Sequence, residues 1–334
     1  MDSPSGSASP LDTAGGAAGP QTVEAFKLLG DETRLAILLA LWEAYDPHAP
    51  TETVSFSTLY DRVNVRDSGT FTYHLDKLAG NYVDAIDDGY RLTNSGQTLV
   101  RAVIAGAGIE EKQLKPTEIP RQCPHCGDAV EISYEDDRLY QICQGCEGHI
   151  GPDSMEHAPT GTLIAYDNFN PAGLTDRTPD EVFLAGSIEY HRSLTLLIRG
   201  VCPECSGPVE RSVQVCEDHE TGTDELCTVC GTWNEVRVVY VCSVCKLSGS
   251  YPAWVAAFDH PAVVAFYHDH GFDMTFGLDD PEECGRLWKR LMREQETLSI
   301  DPVRVLVTVE EGDDRLELTL NQELTVVDVH ETTA

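Results

Sequence analysis

Apolar residues recur at helical spacing from Val23 to Leu29 and again from Thr33 to Ala44, with Gly30-Asp31 as a break and Asp31 placed to cap the second run. Ser55–Val63 (SFSTLYDRV) and Asp67–Leu78 (DSGTFTYHLDKL) predict two further short helices separated by a tight turn. Tyr82–Ile86 and Tyr90–Leu92 then alternate like strands around Asp87-Asp88-Gly89, a hairpin turn signal, and a last helix runs from about Asn94 to Ala105. Helices, turn, helix, hairpin and helix in that order predict a winged helix-turn-helix over residues 21–109.

Beyond it the pattern changes to short alternating runs. Residues 110–121 read as a linker with Lys and Pro, and Val130–Tyr134 with Leu139–Ile142 as a hairpin within a module at 122–158. Residues 159–200 form a connecting segment and a helix, opened by a capping box in which Thr178 is followed by Pro179 and, three residues after the cap, Glu181. Val209–Val215 and Val236–Val241 are natural antiparallel partners inside a second module at 201–250. In the remainder, 251–334, residues 255–298 read as helices, and Val303–Val309, Arg315–Leu320 and Glu323–Val329 as three strands. Residues 1–20, almost wholly Gly, Ala, Ser, Pro, Asp and Thr, cannot bury enough apolar surface to fold and are expected to be disordered. The fold class is α+β and multidomain, as the length of 334 residues requires.

Charge alters this picture. Acidic side chains number 56 against 23 basic ones, of which six are lysine, for a formal net charge of −33. A balance so acidic is unusual in a chain that is to meet a polyanion. Its dispersion through nearly every segment, with 41% hydrophobic residues, implies the surface of a protein from a halophile, where the Debye length falls to about 3 Å at 1 M salt. The alternative, an acidic and partly disordered chain, conflicts with the clear helix and strand patterns. Nothing resembles a signal peptide, and the longest apolar stretch, Leu35–Trp42, is less than half of the roughly 20 residues a span requires. A cytoplasmic protein with no membrane partner is expected, and there reduced cysteines are available as metal ligands.

Eleven of the twelve cysteines fall into paired knuckles. Cys123-Pro-His-Cys126, sixteen residues, then Cys143-Gln-Gly-Cys146 has the spacing of a zinc ribbon, since two such pairs complete a tetrahedral shell. In the second module the strands decide the pairing. Cys202 and Cys205 meet Cys242 and Cys245 at one end of the hairpin, and Cys216 and His219 meet Cys227 and Cys230 at the other. Two to three structural zinc ions per chain follow, the inner site depending on His219 for its fourth ligand. Closed shells leave no position for a water nucleophile, and no Ser/His/Asp set, phosphate-cradling glycine loop or His-Glu-x-x-His motif is visible, so no catalytic residues are assigned and an enzyme is not expected. Lone Cys284 reads as a small buried hydrophobe, and Asp259-His260 and His268-Asp269-His270 as loop or helix ends.

The candidate DNA contacts lie on the Asp67–Leu78 helix, where Ser68, Thr70, Thr72, Tyr73, His74 and Lys77 can bond phosphates or base edges, with Arg91 of the hairpin able to reach the backbone. Between Ser55 and Tyr82, Asp61, Asp67 and Asp76 are matched by Arg62, Arg66 and Lys77, a neutral stretch on an acidic chain. Winged-helix domains also serve as protein–protein adaptors.

The segments EAFKLLGDETRLAILLALWEA, FSTLYDRV and GTFTYHLDKL resemble the winged-helix proteins of the ArsR-like group. The acidic setting, the CPECSGPVE knuckle and HPAVVAFYHDHGFD resemble its haloarchaeal branch, in which the winged helix is followed by zinc-knuckle modules and a C-terminal domain. The resemblance covers most of residues 21–334, though only the N-terminal third carries a function that it implies: transcriptional regulation by a homodimer whose contact uses the first and last helices of that domain. Metal-sensing members carry cysteines near the recognition helix, whereas residues 21–106 have none, so the resemblance supports structural rather than sensory zinc. The chain also resembles the alpha subunit of the archaeal general transcription factor E, which fits the second module and long C-terminal region poorly. A homodimeric regulator of double-stranded DNA is therefore expected, with two alternatives: an adaptor of the transcription machinery, or a thiol-based sensor whose Cys216/His219/Cys227/Cys230 site releases zinc on oxidation.

Overall fold

The computed structural model describes residues 20–50, 52–86, 89–106, 113–123, 125–151, 154–167, 169–220, 226–271 and 294–333. The tail before Pro20, the turn Asp87-Asp88, and Cys284 lie outside the described residues. The chain divides into two compact units, Met1–Glu110 and Glu111–Ala334, and is mixed helix and antiparallel sheet throughout.

The first unit contains α1 (Pro20–Leu29), α2 (Glu32–Glu43), α3 (Phe56–Val63), α4 (Ser68–Leu78), the hairpin β1 (Val83–Ile86) and β2 (Gly89–Leu92), and α5 (Asn94–Ala105). Polar caps set the helix starts. Asp31 accepts from the Arg34 amide, Ser55 from Thr58, Asp67 from Thr70 and Thr93 from Gly96, each satisfying an otherwise unpaired N–H of a first turn. Asn64 ends α3 in the left-handed region (φ 54°) and so makes the tight turn into α4. The buried faces of α2, α3, α4 and α5 meet in one core around Ile37, Leu59, Phe71, Leu75 and Val100. Gly96 lets α5 approach the hairpin, since a Cβ there would stand 2.2 Å from the Tyr82 carbonyl oxygen.

In the second unit β3 (Leu114–Gln122), β4 (Ala129–Glu135), β5 (Arg138–Cys143) and β6 (Thr162–Asp167) form an antiparallel meander, with Val130 opposite Cys143. The long helix α6 (Pro179–Ile198) starts at the predicted capping box, in which the Glu181 carboxylate accepts from the Thr178 amide and the Thr178 hydroxyl from the Glu181 amide. Its first turns bury Val182, Phe183 and Leu184 against the meander, while Leu194 and Leu197 enter a second core. That core is shared by a three-stranded sheet, β7 (Val209–Val215), β8 (Val236–Cys242) and β9 (Ser248–Pro252), by α7 (Pro261–Asp269), and by a C-terminal meander, β10 (Glu294–Ile300), β11 (Val303–Glu311), β12 (Asp314–Leu320) and β13 (Val326–Thr332).

Three expectations are corrected. The linker over 110–121 is in part strand β3, because Ile119 is buried in the meander core and Arg121 binds Asp180 at the start of α6 (3.1 Å). The sheet of the first metal module does not end at residue 158 but takes β6 from the expected connecting segment. Of the helical stretch read over 255–298, the described part is helical only at α7 and a short 3-10 turn, Ala253–Ala257, and Glu294–Ile300 is a strand. The C-terminal sheet thus has four strands, and β9 adds a third to the predicted Val209/Val236 hairpin.

Candidate metal centres and candidate nucleic-acid interface

Three groups of four ligands come together, and their members are those expected from the spacing: Cys123, Cys126, Cys143 and Cys146; Cys202, Cys205, Cys242 and Cys245; Cys216, His219, Cys227 and Cys230. Within each group the ligand atoms all lie within 4.8 Å of one another. Sulfur pairs stand at 3.4 Å (Cys126–Cys143), 3.7 Å (Cys123–Cys146) and 3.5 Å (Cys202–Cys245 and Cys205–Cys242). Such separations are far beyond a disulfide bond and close to the ~3.8 Å edge of a tetrahedron with metal–sulfur bonds of about 2.3 Å. The donor sets fit tetrahedral metal ions and are compatible with zinc.

Registers explain the assembly. Val209 lies opposite Cys242 and Val215 opposite Val236, so the knuckles preceding β7 and following β8 meet at one end and those between the strands at the other. Backbone amides turn inward at one knuckle of each group: Gly145 N–H donates to Cys143 Sγ (3.3 Å), Val229 to Cys227 (3.4 Å) and Val244 to Cys242 (3.4 Å). Burial would raise the Cys227 thiol, but amides of Glu220, Cys230 and Val229 outweigh it and bring it down to about 6. The Cys245 and Val244 amides likewise hold Cys242 at about 6 despite burial. Burial and the neighbouring Cys230 thiol push Cys216 up to about 12. A cation among the sulfurs would favour the thiolate form of such a thiol.

His219 completes the inner group. Its Nδ1 stands 3.5 Å from Cys230 Sγ, while Nε2 lies 3.3 Å from the Trp233 carbonyl oxygen. A carbonyl can only accept, so that contact places the proton on Nε2 and leaves the Nδ1 lone pair for a metal. His125 and His149, superfluous to the first shell, pack with Trp233 instead: the His149 ring stacks on the indole at 5.4 Å, and the two imidazoles touch through their Nε2 atoms. The Ile150/Thr232 bridge and the Gly151 to Gly231 hydrogen bond (3.1 Å) complete this junction between the first and inner centres, which no sequence spacing announces.

On α4, Ser68, Thr70, Thr72, Tyr73 and Lys77 are exposed, Tyr73 at 57%, and the Lys77 ammonium lies 5.7 Å from the Tyr73 ring centroid. Thr70 and Thr72 donate their hydroxyls to Asp67 and to the Ser68 carbonyl. His74 differs from the others: it is half-buried, with Nδ1 3.3 Å from the Asp31 carboxylate but without hydrogen-bond geometry. Arg91 lies against Asp84 across the hairpin (3.4 Å). The His/Asp runs close helix ends, with His260 capping α7, Asp259 accepting from Arg199 and His270 bonding Asp314. No helix among the described residues is long and apolar enough to cross a membrane.

Residues 120–326 match the family described as "Domain of unknown function (DUF7351)", and residues 22–103 match "Domain of unknown function (DUF7347)". The first match spans more than half of the sequence, and the chain belongs to the DUF7351 family. The two matched regions fall on either side of the division after Glu110. Comparison with curated proteins and with solved structures gives no match.

Proposed function

We propose that the protein is a DNA-binding transcription regulator in which the first unit is a winged helix-turn-helix that places α4 in the major groove, and in which the three ligand groups hold structural zinc as ribbon-like modules. The observation that carries this reading is the outward face of α4, where Ser68, Thr70, Thr72, Tyr73 and Lys77 stand exposed on a helix whose opposite face, Phe71, Leu75 and Leu78, is fixed in the core. Residues 21–106 hold seven basic and twelve acidic side chains, while the chain as a whole carries −33, so the reader unit is the less acidic part of the molecule. In concentrated salt counterion release contributes little, and base contacts, DNA shape and dimerisation carry the affinity. Phe26 (72% exposed), Leu35, Leu39 and Ile104 leave apolar surface on α1, α2 and α5, which suits a homodimer contact. The closed shells, two of four cysteines and one of three cysteines with a histidine, suit structural zinc and offer no open coordination position.

The test is a genome-wide chromatin pull-down of the tagged protein beside a Thr72→Ala, Tyr73→Ala, Lys77→Ala variant. Discrete peaks sharing a palindromic motif, lost in the variant, are expected. Signal spread over all active promoters and unchanged in the variant would favour the second reading, an adaptor of the transcription machinery, which the overall acidity supports. Elemental analysis of the purified chain should return three zinc ions, falling to two in His219→Ala.

A further inference from the structure

The second unit contains a cavity of about 360 Å³ between β6 and β9, walled on one side by α6. This volume is at the small end of the roughly 300–1,000 Å³ typical of ligand sites and has room for about a dozen non-hydrogen atoms. Its lining is aromatic. Tyr190 from α6 meets Tyr166 of β6 edge-on (5.2 Å between centroids) and Tyr251 of β9 (6.2 Å), and Trp254 adds an indole.

Among the described residues one guanidinium lines this cavity, that of Arg237 on β8. Its Nε donates to the Ser250 hydroxyl (2.9 Å) and Nη2 to the Ser250 carbonyl (2.7 Å), so the guanidinium is held in one orientation. Of the three acidic groups in the lining, Asp167 binds Arg138 and Glu189 binds Arg192, whose charge Glu204 also favours. Among the described residues no carboxylate pairs with Arg237.

We propose that this cavity binds a small amphipathic monocarboxylate, with the carboxylate on the Arg237 fork and the apolar body among Tyr166, Tyr190, Tyr251 and Trp254. A planar guanidinium matches a carboxylate in bidentate geometry. A phosphate or dicarboxylate would bring a second negative charge toward Asp167, Glu189 and Glu204, which disfavours those classes. Nothing in this site depends on DNA binding.

The experiment is calorimetric titration of the full-length, metal-loaded protein with 3-phenylpropanoate and with its primary amide. One site per chain is expected, with the amide at least about tenfold weaker, equivalent to about 1.4 kcal/mol. Arg237→Met should bind acid and amide equally weakly. Because that change also removes a strand-to-strand tie, Ser193→Phe, which fills the cavity from α6, provides a second variant and should bind neither probe. Both variants should keep the wild-type metal content. Equal affinity for acid and amide in the wild type, no saturable heat with either, or acid preference surviving in Arg237→Met would overturn the site. So would loss of one metal from Arg237→Met together with unchanged acid binding in Ser193→Phe, which would assign Arg237 to the inner metal shell. None of these readings uses DNA, so failure here is separate from failure of the regulator reading.

Discussion

The helical unit before Glu110 and the hairpin that carries two ligand groups are held together by opposite means. In the first, Ile37, Leu59, Phe71 and Leu78 come from three helices and are fully buried, so side-chain surface removed from water supplies the driving force. In the second, neither β7 nor β9 has a buried residue: the inner face of β8, through Val236, Val238 and Tyr240, enters a core, while Val209, Val213, Val215 and Tyr251 pack against it only half-buried. An isolated hairpin with so little apolar cover is marginal in water. At each of its two ends, however, four candidate ligands converge. The first metal module stands between these cases, because β4 and β5 are largely buried against α6 as well as carrying a ligand group.

Metal removal should give the largest effect. Binding of a structural zinc is worth roughly 10–16 kcal/mol in small modules, as much as the whole stability of many domains. After chelation, amide exchange should become fast throughout β7–β9 and then in the C-terminal meander, since Val305, Val307, Leu316 and Leu318 share the core of β8. Residues 32–105 should keep their protection, and β4 and β5 should lose less than β7. Slow exchange persisting at residues 209–215 in metal-free protein would break the comparison.

Next comes Phe71→Ala. Phe71 is fully buried and meets Phe56 and Tyr60 edge-on at 5.2 and 5.3 Å, so the truncation should cost about 3–5 kcal/mol in the first unit. Denaturant titration should show that loss with the metal content unchanged. Any release of metal would mean that the two units do not fold independently.

These contrasts explain what could be read from the sequence. The six helix and strand elements from Glu32 to Ala105 were legible because one apolar stripe per element fixes both type and facing, and Asp31 and Thr178 mark helix starts by chemistry that acts within one turn. The twelve residues of the three candidate ligand groups were legible because a knuckle is local and its pairing follows from the hairpin that carries it. Strand β3 was missed because Lys115, Pro116 and Pro120 look like linker residues, and only the neighbouring β4 turns them into an edge strand. Strand β9 (SGSYP) has no alternation to detect and exists through its pairing with β8. The half-burial of His74 beside Asp31 was not legible, because the two residues are distant in sequence. The aromatic cavity depends on three segments, around Tyr166, Tyr190 and Tyr251, that no local pattern connects.

A smaller effect should follow from Thr93→Ala. The hydroxyl accepts from the Gly96 amide (3.0 Å) and donates to the Asn81 carbonyl (2.8 Å), so it both caps α5 and ties it to the turn before β1. Loss should cost about 1–2 kcal/mol, measured as a lower denaturation midpoint of the first unit alone. A drop as large as that of Phe71→Ala would show that the polar ties, and not the buried core, hold this unit.

The smallest effect is expected where charge supplements packing, at the end of α7. His270 presents Nδ1 to the Phe266 carbonyl (2.6 Å) and Nε2 to the Asp314 carboxylate (2.9 Å), two acceptors that both ring nitrogens satisfy only in the imidazolium form. The Phe266 carbonyl first, and then Asp314, therefore raise the imidazole above its ordinary value. With the folded value above the unfolded one of about 6.5, the stabilisation is fully present below that pH and is lost as pH rises through the folded value. The urea midpoint of the second unit should therefore fall on going from about pH 6 to about pH 8.5, and His270→Gln should flatten that slope. Because the pair is partly exposed, molar salt should reduce the slope without abolishing it. Equal slopes in the two proteins would mean that Val263, Phe266 and Tyr267 hold α7 without help. That result would place α7 with the core-held helices of the first unit and confine the dependence on polar and metal ties to the hairpins.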